Sequence, residues 1–525
     1  MVRVDVFLPL EYDNATLVAA LEEKLHMVLP EDANPRLLRL AIDGDAKKGL
    51  RFKASVMLSL DEYTEMRLLR RGKYALPVPE LSYEVPKKET KVRPVVVGSG
   101  PCGLFAALVL AEAGCRPIIL ERGEPMEKRI LTVEAFKKGG ELCDESNIQF
   151  GEGGAGTFSD GKLKPGAMDA RKYKILSEFV AAGAPARILY DAAPHVGTDL
   201  LCGIIRKIRE KIEALGGEVR FGARLAGLIH KDGRLLGVRY CQAGREEELA
   251  AEQVILATGH SAVDVFALLK KENISMEARG FGLGVRIEHP RAHIDRVRYG
   301  EQPPAILGAA SYHLVEHLEN GRSAYSFCMC PGGMVVAATS EKGSVVTNGM
   351  SENARDGENS NAAFLVSVTP ADFGSDDPLA GLTFQRKYER KAFALGGDYR
   401  APVQLLGDFM EGRVSRELGG VSPTYPRGTV LCDLAECLPT FVTETLRAAI
   451  PRFEAYMNGF YLPDAVMCGV ETRSTSPVRI LRDEKGEAIG LSGLYPCGEG
   501  AGYAGGILSS AVDGIRAAEQ ILGTI

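Results

Sequence analysis

Residues 94–123, PVVVGSGPCGLFAALVLAEAGCRPIILERG, constrain the fold more than any other stretch, because they read as a complete nucleotide-binding βαβ unit. Val95, Val96 and Val97 form a short apolar run suited to a buried parallel strand. Gly98, Gly100 and Gly103 follow at GxGxxG spacing, and Leu104–Ala113 reads as a helix. A second strand from Pro117 to Leu120 ends at Glu121. Gly98 permits the tight turn, Gly100 lets a pyrophosphate approach the backbone, and Gly103 lets helix and sheet pack closely. Pro101 and Cys102 complete the phosphate loop, and the helix N-terminus behind them offers free N–H groups and a positive dipole end. Glu121, followed by Arg122, is the expected acceptor for an adenosine ribose, and its charge disfavours a 2′-phosphate.

The other end of the chain separates FAD from NAD. Residues 493–521, GLYPCGEGAGYAGGILSSAVDGIRAAEQI, contain a short strand, a Gly-Glu-Gly turn, a second glycine cluster and a helix. FAD proteins with this βαβ unit return to the fold through such a segment, its acid contacting the ribitol and its helix N-terminus facing the pyrimidine end of the ring. Glu499 is the acid, with Gly500 beside it; Gly505, Gly506 and Ile507 offer backbone N–H groups where negative charge collects on reduced flavin. Between the ends, Val254–Gly259 is a strand closing in Ala-Thr-Gly, which puts Thr258 and Gly259 at the hand-over to the next domain. The three pieces in this order predict non-covalent FAD.

With 525 residues the chain can hold two or three domains. Its net charge of −6 argues against broad nucleic-acid binding, and Arg67–Lys73 reads as a solvated helix face. No apolar run reaches transmembrane length, and no signal-peptide pattern opens the sequence. Eleven cysteines occur without a CxxC framework, as in a reducing cytoplasm. Cys328 and Cys330 form a CxC pair before Pro331; they lack a complete metal-ligand set, and packing beside a turn is the reading preferred over redox work. Cys102 and Cys497 are read as packing too. No metal constellation is expected.

Residues 1–85 look separate: strand Val2–Leu8, helix Thr16–Met27, strands Leu37–Asp43 and Leu50–Leu60, then helix Asp61–Arg71 predict a ferredoxin-like α+β module. Residues 76–91 read as a linker. An FAD-binding domain of Rossmann type is expected over 86–275 and 465–525, with a substrate domain inserted at 276–464. Residues 151–163, GEGGAGTFSDGKL, hold five glycines in thirteen positions, predicting backbone close to the ligand through Gly154, Gly156 and Thr157. Helix Thr198–Leu215 and strands Glu218–Phe221, Gly227–His230 and Leu235–Tyr240 precede the Ala-Thr-Gly element. No second GxGxxG lies in the inserted stretch, so a dedicated NAD(P)H domain is not expected, although a nicotinamide can still visit transiently.

With these motifs the sequence closely resembles the bacterial FAD-dependent dehydrogenases of largely unassigned substrate, within the glutathione-reductase-like flavoproteins. The resemblance runs from about residue 35 to the C-terminus. It rests on GEGGAGTFSDGKL (151–163), GVRIEHP (284–290), CPGGMVV (330–336), VTNGMSENARDGENSNAA (346–363), APVQLLGDF (401–409), GVETRSTSPVRI (469–480) and LYPCGEGAGYAGGI (494–507). It implies an N-terminal ferredoxin-like domain, non-covalent FAD and a two-domain flavoprotein body. Cys102 departs from the alanine usual in that loop, and Leu40–Leu50 keeps only Lys47 and Lys48 of a denser basic cluster.

The expected activity is an oxidoreductase in which flavin N5 exchanges hydride with a small-molecule substrate. Arg473 is placed as a carboxylate clamp or a stabiliser of reduced flavin, with Ser474 and Ser476 nearby; Lys162 and Asp160 are the other catalytic candidates. His195, His289 and His313 are considered as acid–base groups and read as structural. Two rivals are a flavoprotein scaffold whose N-terminal module recruits a protein partner, and RNA modification with that module on tRNA. Neither membrane nor nucleic-acid partners are expected, and oligomeric state is left open.

Overall fold

The computed structural model describes the whole chain except residues 45–48, 73, 79–80, 89, 164–168 and 524–525. Lys47, Lys48 and Lys73, named above in basic stretches, lie outside the described residues.

The N-terminal strands Val2–Leu8, Arg36–Asp43, Arg51–Leu58 and Leu76–Pro77 form one antiparallel sheet. Val2–Leu8 and Arg51–Leu58 are central, and the two-residue strand falls inside the stretch read as a linker. Alternation along Val2–Leu8 buries Val2, Val4, Val6 and Leu8 against helix Asn14–Leu25, whose inner face is Leu17, Leu21 and Leu25. Asp13 caps that helix by accepting from the Thr16 N–H at 2.8 Å. The module joins the body through an edge strand: the Leu40 N–H donates to the Tyr190 carbonyl at 2.7 Å, and Ala192 N–H returns a bond to Leu40 O at 2.8 Å.

The βαβ unit forms as read. Its sheet is all parallel, running Leu494–Pro496, Val254–Leu256, Val95–Val97, Ile118–Glu121 and Glu218–Phe221. Chain order and sheet order differ, so the first and last segments of the body lie two strands apart, separated by Val254–Leu256. The helix begins at Pro101 rather than Leu104, since proline is favoured at the first helical position, and runs to Ala113. Helix Ile507–Leu522 packs directly on it. A Cβ at Gly514 would fall on the Cys102 carbonyl, so this contact requires glycine. Strands Ala223–Lys231, Arg234–Gln242 and Arg245–Ala250 form a three-stranded meander to one side.

The inserted region builds a seven-stranded sheet around the long strand Phe281–Pro290. Helix Thr440–Tyr456 covers one side, and Leu283, Val285, Phe364, Val403, Phe453 and Phe460 fill the core. This sheet includes Val466–Glu471, which pairs with both Phe281–Pro290 and Ala401–Leu405. Val466–Glu471, which lies just past the boundary expected at 464, takes its hydrogen bonds from this sheet. Among the described residues, no helix is long and apolar enough to cross a membrane.

Candidate functional site

The opening turn, the glycine loop, the Ala-Thr-Gly element, the closing turn and one edge of the inserted domain surround a single cleft of about 430 Å³. Gly98 adopts φ +101°, and a Cβ there would meet the Ala257 carbonyl, so the turn demands glycine. Gly103 packs the helix against the strand and does not line the cleft. Two helices begin at the cleft, at Pro101 and at Ile507; their N-cap residues, Gly100 and Gly506, have no side chain to cap them. Their first N–H groups are left for something else to satisfy.

Glycines test what that something is. A Cβ on Gly505, Gly506 or Gly259 would meet no atom within 4 Å, and one on Gly100 would meet only the Gly154 Cα at 3.8 Å. Gly259 takes φ +72°, which itself favours glycine; packing explains none of Gly100, Gly505 and Gly506, and all four line the cleft. Backbone open to the void beside two uncapped helix starts fits a long dinucleotide carrying a diphosphate.

Glu121 is buried at the end of its strand, and both oxygens are engaged. Oε2 accepts from the Ser99 N–H at 2.9 Å and the Ser99 hydroxyl at 2.7 Å; Oε1 accepts from Gly123 and Gly151 N–H at 2.9 and 3.1 Å. The carboxylate thereby ties the opening turn to the glycine loop. Arg122 lies over the Phe150 ring, 4.2 Å from its centroid, and pairs with Glu145 and Asp264 at 2.8 and 2.9 Å.

Of the other expected cofactor residues, Pro101, Cys102, Gly154, Gly156, Thr258, Glu499 and Ile507 line the cleft. Thr157 and Gly500 do not. Thr157 is buried beneath the loop, and a Cβ on Gly500 would press on the Gly259 carbonyl at 2.5 Å. Both serve packing between the elements that do face the void. Cys102 is buried as expected.

Lys162 and Asp160 form an ion pair at 2.9 Å. Lys162 also donates to the Met329 carbonyl, and Asp160 accepts from Ser351 and from Arg355, the latter at 2.5 Å. Burial alone would push the Asp160 carboxyl up; Lys162, Arg355 and Ser351 outweigh it and hold it below the usual carboxylate range.

Arg473 lines the cleft, and its guanidinium is held by protein groups. Its Nε and Nη2 each donate to Glu389 at 2.9 Å, and Nη1 donates to Ser340 and Ser261 at 2.6 and 3.1 Å. The fork expected to clamp a substrate carboxylate already clamps a buried protein carboxylate on helix Ala380–Gly396. Ser474 also lines the cleft and bonds the Gly282 backbone at 2.9 Å in both directions; Ser476, outside the lining, donates to the Val478 carbonyl at 2.8 Å. His195, His289 and His313 lie outside the cleft lining.

Sequence reasoning missed several groups on this wall. His260 follows the Ala-Thr-Gly element directly, and its Nδ1 stands 3.5 Å from Glu499. Phe327 and Glu471 come from two strands of the seven-stranded sheet, and Asn348 from the separate two-stranded sheet of Met334–Ala337 and Thr347–Met350. Behind Glu471 sits Arg286, wholly buried, donating to its two oxygens at 2.7 and 3.0 Å and to Asn361 Oδ1 at 2.7 Å. Local spacing carries no sign of that pair; GVRIEHP and GVETRSTSP each supply one charge. Among the described residues no cluster of His, Cys, Asp or Glu is arranged to hold a metal.

Comparison with known proteins agrees with this geometry. Residues 280–474 match the C-terminal domain of FAD-dependent proteins, and residues 89–129 match an FAD-binding domain. An "Uncharacterized protein" of Clostridium beijerinckii is 46% identical over 524 residues, covering 99% of this chain and 98% of its own. Protein FixC of Escherichia coli K12 is 25% identical over 224 residues, covering 41% of this chain and 48% of its own. Among solved structures, the flavin-dependent brominase Bmp2 aligns with TM-score 0.38 and 12% identity, over 83% of this chain and 80% of that one. The FAD complex of Bacillus halodurans glycerol-3-phosphate dehydrogenase aligns with TM-score 0.36 and 11% identity, over 83% and 65%. FAD is the cofactor, and the protein is a flavoenzyme of oxidoreductase type. The chain belongs to the family of the Clostridium beijerinckii protein, FAD-dependent proteins with this C-terminal domain.

Proposed function

We propose that the chain is an FAD-dependent dehydrogenase or reductase that works on a small molecule bound between the flavin ring and the inserted domain. The observation that carries this reading is the convergence of two uncapped helix N-termini on one cleft, beside glycines that protein packing does not require. In this reading the Rossmann-type turn Gly98–Cys102 holds the diphosphate, and Gly505–Ile507 holds the pyrimidine end of the ring. A ribose hydroxyl at Glu121 takes the lone pair now given to the rotatable Ser99 hydroxyl. Bound FAD supplies hydride exchange at N5.

The chain's own residues do the positioning. Lys162, tied to Asp160, presents a fixed positive charge to the substrate side, and Phe327 and Asn348 bound that space. Arg473 acts as a positioning residue, holding Ser261 and Ser340 around Glu389. The antiparallel order of the N-terminal sheet supports the ferredoxin-like reading, and the inserted sheet supports a glutathione-reductase-like body with a substrate domain. Cysteines unpaired throughout support a reducing compartment such as the cytoplasm.

The test is anaerobic mixing of the FAD-loaded chain with NADH, NADPH and a panel of small-molecule donors. Bleaching of the flavin band with one donor, and its slowing in Lys162→Met, is the expected result. A chain that stays colourless after reconstitution with FAD overturns the reading.

A further inference from the structure

The CxC pair, read from sequence as packing, stands in the cleft wall. Strand Ser323–Cys330 pairs with Asn359–Val368, and its register slips from Phe327↔Ala363 to Cys330↔Asn361, so an extra residue is bulged out at the end of the strand. The bulge includes Cys328, which takes φ +39°, a left-handed conformation that a non-glycine residue rarely adopts. Its side chain is exposed, and it lines the cleft. Cys330 is fully buried behind it, its thiol turned back to the Cys328 carbonyl at 3.2 Å and 3.8 Å from Arg286 Nη1. Lys162 donates to the carbonyl of Met329, the residue between the two cysteines.

We propose that Cys328 and Cys330 form a dithiol–disulfide couple that exchanges two electrons with the FAD in this cleft, an inference that rests on the flavin reading above. Residues two apart on a strand have Cα atoms about 6.6 Å apart, and a disulfide spans up to about 6.8 Å; a bulge shortens the separation further. Oxidation breaks two S–H bonds and forms one S–S bond, and the two electrons and two protons pass to the flavin ring. The reverse transfer regenerates both thiols. Burial raises the Cys330 thiol, against the opposing pull of Lys162 and Arg286. A substrate-facing thiol with its partner behind it is the arrangement such a couple requires.

The test uses the FAD-loaded full chain. After air oxidation and denaturation, nine thiols should react, two fewer than the eleven cysteines of the sequence. Peptide mapping should find the missing two as a 328–330 link. Anaerobic dithionite titration should take up about four electrons per chain, against about two in Cys328→Ser. That variant changes an exposed side chain, so it serves where Cys330→Ser fails to fold. A chain that binds FAD but shows eleven thiols and takes up about two electrons overturns the couple and leaves the flavin reading standing. A chain that binds no FAD overturns both.

Discussion

The two walls of the cleft are built by opposite means. On the first, from the opening and closing turns, backbone N–H groups and bare glycines face the void, and the Glu121 carboxylate ties the opening turn to the glycine loop. On the second, from the inserted domain, side chains face the void and are anchored from behind by the buried pairs Arg286–Glu471 and Arg473–Glu389. The first wall is written in consecutive letters, because a turn is a local object. The second is assembled from residues far apart in the chain. One wall thus offers backbone groups to the void, and the other offers side chains held in place by packing.

The second wall is where a single change should cost most. Arg286→Met leaves the Glu471 carboxylate buried and alone, and a loss of about 3–5 kcal/mol in urea unfolding is expected. Arg286→Met/Glu471→Met should regain most of it. A single variant within ~1 kcal/mol of the parent would mean that the pair is not what holds this wall.

Acid sensitivity sharpens the same point, because the inserted domain also buries an imidazole. Burial lowers His289 to about 4, with its Nε2 donating to the Phe460 carbonyl at 2.8 Å. Between pH 6.5 and about 4 the unfolded imidazole carries a proton that the native one refuses. Its contribution to stability is therefore full above pH 6.5 and is lost as pH falls towards 4, to the order of 3 kcal/mol. The check is the slope of unfolding free energy against pH in the parent minus that in His289→Asn, a difference in which the carboxylates cancel. Equal slopes would contradict it.

On the first wall two alanines should behave differently. Gly103→Ala drives a Cβ into the Gly98 carbonyl and should destabilise the fold by about 1–3 kcal/mol. Gly100→Ala has room within the protein, so thermal unfolding of the flavin-free chain should hardly move. Its FAD affinity should fall at least about tenfold, or ~1.4 kcal/mol, read by fluorescence titration. Loss of folding with retained affinity would reverse the roles assigned to the two glycines.

Much of the first wall was legible. Val95–Val97, Gly98, Gly100 and the acid at 121 formed the expected unit because strand, turn and helix each follow from neighbouring residues. The helix start at Pro101 was read late, since helical spacing becomes visible only with the first apolar residues after it. Leu76–Pro77 was absorbed into a linker because two residues carry no alternation. Position along the chain does not say which sheet supplies the hydrogen bonds of Val466–Glu471. Residues 469–477 carry no local sign of the Arg473 partner, because Glu389 comes from helix Ala380–Gly396.

Sequence alone determined the parallel sheet, the cofactor class and the glycines that leave room for it, because turn geometry and hydrophobic runs act over a few residues. Tertiary structure alone decided that Arg473 is spent on Glu389, that Arg286 stands behind Glu471, and that Cys328 opens into the cleft. Charges and thiols take their partners through space, and the energy of burying them depends on neighbours that the order of residues does not bring together.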